Sequence, residues 1–291
     1  MPLVELRRAV GSPPQTTMRG HLRALTDLGV ISRHRQNEFP GSVDYELADP
    51  GRDLLAVREA LRVWLLEAPE GPVSLGSAAA KSTVKAIVDG WTATIVRALA
   101  ARPLSLTELN RLIAAHNYPS LERRIGAMRL AGLVEPSPGG GRRTPYLVSD
   151  WLRRAVAPLV AAARWERRHI SDRATPVGRI DVESFFLLPA PLLRLSAEQS
   201  GACRLVAEIR GAQGENELAG AMIEIRDGEV ASCVSRLRGD PDAWAAGSVS
   251  TWLRALLGEE ADRLELGGEA TLAASVVEAL HGTLFGVGQG A

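Results

Sequence analysis

The sequence predicts an α+β protein in three parts: two similar, mainly helical modules in front and a rear domain with a mainly antiparallel sheet. Three observations predict it. The front matches itself at an offset of 103 residues, both copies pass from helical apolar steps to short paired strands, and alternating strands dominate the rear. The 291 residues include 34 Lys plus Arg, 34 Asp plus Glu, 46% apolar side chains and two cysteines. The zero net charge hides a division, because residues 1–170 carry +8 and residues 171–291 carry −8. Such an asymmetry points to an anion-binding front and a rear of another kind.

The elements follow in order. Val4-Glu5-Leu6-Arg7-Arg8 falls on Thr107-Glu108-Leu109-Asn110-Arg111, and Leu22, Leu25, Gly29, Val30 and Ile31 fall on Ile125, Met128, Gly132, Leu133 and Val134. At an offset of 101, Leu47 falls on Val148 and Trp64 on Trp165. Each copy reads helix, turn, helix, hairpin, helix. In the second, Val84, Ile87, Val88, Trp91, Ile95, Val96 and Leu99 recur at helical steps and predict the buried stripe of one first helix. A short helix over 107–114 and a polar turn at 116–119 precede a helix over 121–130 that buries Leu121, Ile125 and Met128. Ser120 is its N-cap or a first-turn residue, and Gly132 ends it in a left-handed cap. Leu133-Val134-Glu135 and Tyr146-Leu147-Val148 predict two strands around a loop carrying Arg142 and Arg143. A last helix runs from Trp151 to about Arg168, bent or broken at Pro158.

This order is the winged helix-turn-helix, in which the second helix of the pair enters the major groove and the wing lies along the backbone. Asp89-Gly90-Trp91-Thr92, Leu106-Thr107-Glu108-Leu109, the run from Ile125 to Val134 and the closing Trp165 resemble the HxlR-type branch of the MarR-like transcription regulators. In the first copy, the run from Leu22 to Ile31 and Tyr45-Glu46-Leu47 resemble the same family. The first copy leaves no room before Val4 for that family's first helix, so it is expected to be truncated or to begin upstream. Family members that sense aldehydes or oxidants use a cysteine near the first helix. Neither copy has one, which disfavours thiol sensing.

Helix geometry then nominates the DNA contacts. Ser120, Arg123 and Arg124 open the second recognition helix, and Gln15, Thr16, Thr17, Arg19 and Arg23 occupy the matching stretch of the first. Arginine pairs with guanine and glutamine with adenine in the major groove, while hydroxyls go mostly to phosphate. Arg142 and Arg143 suit phosphates or the minor groove. Two modules in one chain imitate a regulator dimer, so the expected partner is double-stranded DNA, bound by a monomer acting as a pseudo-dimer or by a homodimer.

In the rear, Leu205, Ala207 and Ile209 alternate with polar neighbours, as do Ala221, Ile223 and Ile225. Asp227-Gly228 predicts a hairpin turn into a strand over 230–234. Pro241-Asp242-Ala243-Trp244 is read as starting a helical section, 250–257 as an amphipathic helix, 264–266 as a strand, and Leu272, Val276, Leu280 and Leu284 as a terminal helix. The motifs Gly239-Asp240-Pro241-Asp242-Ala243-Trp244, Trp252-Leu253 and Leu280-His281-Gly282-Thr283-Leu284-Phe285 are similar to a sterol carrier protein type 2-like domain. That resemblance implies a curved sheet around an apolar cavity, with Trp244, Trp252, Leu256, Leu272, Val276, Leu280 and Phe285 as candidate lining and a hydrophobic small molecule as ligand. The expected domains are 1–68, 79–170 and 181–291.

The remaining chemistry is read as absent. No histidine has a metal-helix partner spacing, Gly139-Gly140-Gly141 lacks the ending of a phosphate loop, and Cys203 and Cys233 are expected in strands as small core residues. No catalytic residue, metal or cofactor is expected, nor a membrane partner. The expected function is a cytoplasmic, ligand-responsive DNA-binding transcription regulator and not an enzyme; the alternative is a lipid or hydrophobic-ligand sequestration protein that uses its winged helices as interaction surfaces.

Overall fold

A computed structural model describes residues 1–35, 43–88, 90–113, 117–138, 144–210 and 215–286, with Trp91 and Ala93 by backbone alone. It is an α+β fold, 53% helical and 21% strand. The front elements are α1 (Leu3–Ala9), α2 (Gln15–Asp27), β1 (Ile31–Arg35), β2 (Val43–Leu47), α3 (Asp49–Leu66), α4 (Ala78–Val88), α5 (Gly90–Ala101), α6 (Leu106–Leu112), α7 (Tyr118–Leu130), β3 (Val134–Pro136), β4 (Tyr146–Val148), α8 (Asp150–Arg154) and α9 (Val156–His169). The rear follows with α10 (Arg179–Leu187), β5 (Gly201–Arg210), β6 (Asn216–Arg226), β7 (Glu229–Val234), β8 (Ala243–Ser248), α11 (Val249–Leu256), β9 (Glu265–Gly268) and α12 (Ala270–Phe285). The chain forms two compact units, Met1–Glu59 with Ala162–Thr175, and Ala60–Ala161 with Pro176–Ala291.

In the first unit, α2 buries Met18 and Leu22 one helical turn apart, against Val30, Ile31 and Trp165. Gly29 ends α2 at φ +69°, where a side chain would be strained, and the Val30 N–H returns to Leu25 O at 2.9 Å. β1 and β2 pair antiparallel from Ile31 opposite Leu47 to Arg35 opposite Val43. The N-terminus adds to this ribbon, since Met1 and Tyr45 exchange N–H···O bonds of 2.9 and 3.0 Å.

The second unit makes the same contacts one offset along. α7 buries Leu121, Ile125 and Met128, Gly132 stands at φ +70°, and the Leu133 N–H returns to Met128 O at 2.9 Å. β3 pairs β4 from Val134 opposite Val148, and Leu104 and Tyr146 exchange bonds of 2.9 and 2.8 Å. Asn117 caps α7 by accepting from the Ser120 N–H at 3.0 Å, so Ser120 is a first-turn residue. α6 begins with a capping box in which Ser105 and Glu108 satisfy each other's backbone N–H groups. These hydrogen bonds hold the Glu108 carboxyl below its usual range.

The expected first helix departs from the reading at one residue, and the last helix breaks near Pro158 as expected. Of the expected first-helix stripe, Ile95, Val96 and Leu99 are buried and Val88 is exposed; Asp89, between α4 and α5, lies outside the described residues. The last helix breaks at Ala155 into α8 and α9. Pro158 has no N–H to give the Arg154 carbonyl, so the ladder cannot run through.

Ser149 joins strand to helix in this unit. Its hydroxyl donates to Gly132 O at 2.7 Å and accepts from the Leu152 N–H at 3.2 Å. Ser149→Ala is expected to cost about 1–2 kcal/mol of stability in urea unfolding, through the lost cap and the unpaired Gly132 carbonyl.

The rear sheet has the order β7-β6-β5-β8-β9, antiparallel except for the parallel pair β5 and β8. Asp227 and Gly228 both take positive φ, as a two-residue hairpin turn requires. The segment from Ala243 is a strand and not the expected helix. Alanine favours helix, yet Ala243 and Ala245 point into the core while β8 is hydrogen-bonded on both sides; sheet pairing overrides propensity there. Trp244 lies opposite Gly267, where a Cβ would stand 2.2 Å from its ring, so the glycine is the seat for the indole. α11 starts at the Ser248 cap and α12 buries Leu272, Ala273, Val276, Val277 and Leu280.

Candidate nucleic-acid interface

On α2 the buried Met18 and Leu22 turn the rest of the helix outward. Gln15, Thr16, Thr17, Arg19 and Arg23 are all exposed, and Arg23 is 4.0 Å from Asp27. The backbone N–H groups at its start are open behind Pro14, which offers no side-chain cap. On α7 Arg123 is exposed and folds back on its own first turn, 3.3 Å from Ser120 Oγ and 3.4 Å from Pro119 O. Ser120 and Arg123 are therefore together. Arg124 is half-buried on the edge of the apolar stripe, so it does not share their fully outward face. Arg142 and Arg143 lie outside the described residues.

The structure adds residues that helix geometry alone did not nominate. β1 carries Arg33 and Arg35, both exposed, two residues apart and so on one face of the ribbon. Ser32 and His34 take the other face, with 3.0 Å between Oγ and Nε2. The signal was in the sequence: Ile31 falls on Val134 of a predicted strand, and arginines at alternate positions after it make a basic stripe.

Each unit is also closed by a tryptophan that reaches across sequence. In the first, Trp165 Nε1–H donates to Pro50 O at 2.7 Å, and Asp53 meets Arg168 at 3.4 Å and His169 at 2.9 Å. In the second, Trp64 Nε1–H donates to Trp151 O at 2.7 Å, and Glu67 meets Arg154 at 2.9 Å. Adding 101 to Pro50, Asp53, Trp64 and Glu67 gives Trp151, Arg154, Trp165 and Arg168, so the two sets correspond position by position with the ion-pair signs reversed. Trp64 and Trp151 also stack at 4.6 Å and 13°, and Trp151 Nε1–H returns a 2.7 Å bond to Trp64 O.

Of the seven rear residues, two line one small space and the others are placed as follows. Trp252 and Leu256 line a small enclosed space with Val182, Phe185, Phe186, Ala207, Val249 and Leu253. The room left there is ≈ 10 Å³, about what one water needs. Leu272, Val276 and Leu280 are buried on α12, Trp244 sits over Gly267, and Phe285 is half-buried against His281 at 5.9 Å. A larger, more open groove of ≈ 590 Å³ lies in the same unit, between the end of α7, β3, the start of α8 and residues 67–70.

Burial pushes the Cys203 thiol up to about 12 and the Cys233 thiol up to about 12, the latter opposed by Arg153. Both are therefore protonated at neutral pH. Iodoacetamide at pH 8 is expected to leave both unmodified in the native protein and to label both after unfolding, as followed by intact mass. Among the described residues no three His, Cys, Asp or Glu form a metal-binding group, and no helix is long and apolar enough to cross a membrane.

Comparison with known proteins gives the front a family likeness. No curated protein matches the chain. Among solved structures it is similar to a solution structure of a conserved hypothetical protein from Thermus thermophilus with a suggested sterol carrier assignment, at 15% identity over 32% of this chain and 77% of that one, with a TM-score of 0.24. Residues 3–70, which hold α1, α2, the β1–β2 wing and α3, match the HxlR-like helix-turn-helix family.

Proposed function

We propose that this chain is a DNA-binding transcription regulator with two winged helix-turn-helix modules, in which α2 and α7 are the recognition helices. One observation carries the reading. The stretch that matches the HxlR-like family and the stretch from α6 to α9 share their glycine caps at an offset of 103 and their tryptophan bonds at 101, with the wing pairings spanning the two-residue difference between them. What holds for the first as a DNA-binding module is thereby extended to the second. The reciprocal tryptophan bonds support a single chain doing what a regulator dimer does, because each module's last helix completes the packing around the other's. Gln15, Arg19, Arg23, Ser120 and Arg123 would read bases or phosphates, and Arg33 and Arg35 would hold the backbone. The two helices present different side chains, so the operator should have two unlike halves.

Selection from a random duplex library with the full chain, followed by footprinting, tests this. The reading expects enrichment of a site whose unlike halves are centred about 10 base pairs apart. Recovery of no preferred sequence, or of a strictly two-fold symmetric site, would count against it. We propose further that the rear domain responds to an apolar small molecule near Trp252, supported by the wholly apolar packing there. The small room left does not favour a carrier that holds cargo in this form.

A further inference from the structure

Helix α10 is packed on two adjacent sides. Val182, Phe185 and Phe186 share one side at helical steps and close the apolar space beside Trp252. Phe186 meets the Trp252 ring edge-on, at 4.7 Å and 73°. Glu183 lies on the next side and is buried, with Arg97 of α5 2.8 Å from its Oε2 and Arg179 2.9 Å from its Oε1. The Oε2 contact is off the hydrogen-bond direction, so that oxygen has a charge partner and no hydrogen bond. One residue past the helix, Leu188 O accepts from Arg153 Nη1 of α8 at 3.1 Å, and burial lowers the affinity of Arg153 for its proton. α10 is thus held by the second helix-turn-helix module at its middle, through Glu183, and just past its C-terminus, through Leu188, while its aromatic side closes the apolar space beside Trp252.

We infer that α10 transmits between an apolar occupant at Trp252 and the second helix-turn-helix module, with the Arg97–Glu183 pair as the catch that keeps the site closed. The inference rests on the regulator reading and deepens it. Trp252 is tied to the sheet by its Nε1–H bond to Val206 O at 2.7 Å, so moving it aside would break that bond. The space holds no more than a water, so anything larger must displace a lining side chain, and the Phe186 ring is the one edge-on to Trp252. α10 is a short hydrogen-bonded rod with Glu183 less than one turn from Phe186, so a shift of the helix that moves the ring aside also moves the carboxylate. A buried ion pair is a weak source of stability and strongly geometry-dependent. It is therefore suited to hold one position of α10 and to release it when the helix shifts. By linkage, an occupant that opens the catch must bind more tightly where the catch is already weak.

The test uses the neutral fluorescent hydrophobe N-phenyl-1-naphthylamine titrated into the full chain, with Trp252→Phe to locate its binding. Saturable binding is expected, tightened roughly fivefold or more by Glu183→Gln and by Arg97→Gln, at the lower end of common coupling strengths. Amide exchange of residues 90–101 and 179–187 should quicken when the probe is bound. Phe186→Leu, which leaves the charge pair intact, should tighten probe binding while reducing that quickening. Unaltered probe affinity in both charge variants, unaltered exchange at α5, or no probe binding by the wild-type chain overturns the inference. The regulator reading fails separately: a chain that shows this linkage and binds no DNA contradicts that reading alone, and a chain that binds DNA without the linkage contradicts this inference alone.

Discussion

Trp64→Ala should lower the stability of the second unit by about 4 kcal/mol, within the range for removing a buried aromatic side chain. Trp64 is 2% exposed, stacks on Trp151 and donates to its carbonyl, so truncation removes the packing, the ring contact and a buried hydrogen bond together. Trp64→Phe separates the contributions. It keeps a ring for the stack and loses the donor, leaving Trp151 O short of a partner, and about 2 kcal/mol is expected. Trp165→Ala should cost less: the ring is 9% exposed, makes one such bond to Pro50 O, and tilts against His169 without a parallel stack. Urea unfolding followed by far-ultraviolet circular dichroism measures all three. A loss under about 1 kcal/mol for Trp64→Ala would show that the two tryptophans do not hold this unit together.

DNA affinity should respond most to the recognition arginines. Arg19→Ala and Arg123→Ala remove the exposed guanidinium groups that α2 and α7 turn away from their cores. A base-reading arginine is worth about 1–3 kcal/mol, so each variant should weaken binding roughly tenfold or more and relax preference at a different base. The double variant should lose close to the product, since the side chains share no partner. Arg33→Ala and Arg35→Ala should behave differently. As backbone contacts they should weaken binding evenly across sequences and reduce the salt slope by about one each. Anisotropy on the selected duplex and on single-base variants separates the two kinds. Wild-type affinity in the Arg19→Ala/Arg123→Ala double variant would remove α2 and α7 from the interface.

The front was legible because its punctuation is local. Gly29 and Gly132 each stop a helix whose apolar residues recur at helical steps, and the strands that follow are short and bounded, so element type and order could be read directly. The break at Pro158 was legible for the same reason: a missing N–H acts on its own helix. The rear was harder where packing decides. Ala243, Ala245 and Ala246 carry helix propensity, and only pairing with β5 and β9 makes them a strand. α10 gave no single apolar face because Val182, Glu183, Ser184, Phe186 and Leu187 are buried on more than one side. Its buried Glu183 reads from sequence as a surface residue, since its partner Arg97 lies 86 positions away. For the interface, helical spacing placed Gln15, Arg19 and Arg123 correctly outward. It missed that Arg124 borders the core and that Arg33 and Arg35 form a stripe on the first wing.

The central claim is that the basic front grips duplex DNA in a sequence-dependent way. The most direct measurement is the affinity of the full chain for its selected duplex and for a scrambled one between about 50 and 200 mM salt. The account predicts preferential binding to the selected site, with log affinity falling linearly with log salt at about −0.9 per phosphate contact for several contacts. Binding that ignores salt, or that does not distinguish the two duplexes, would contradict it.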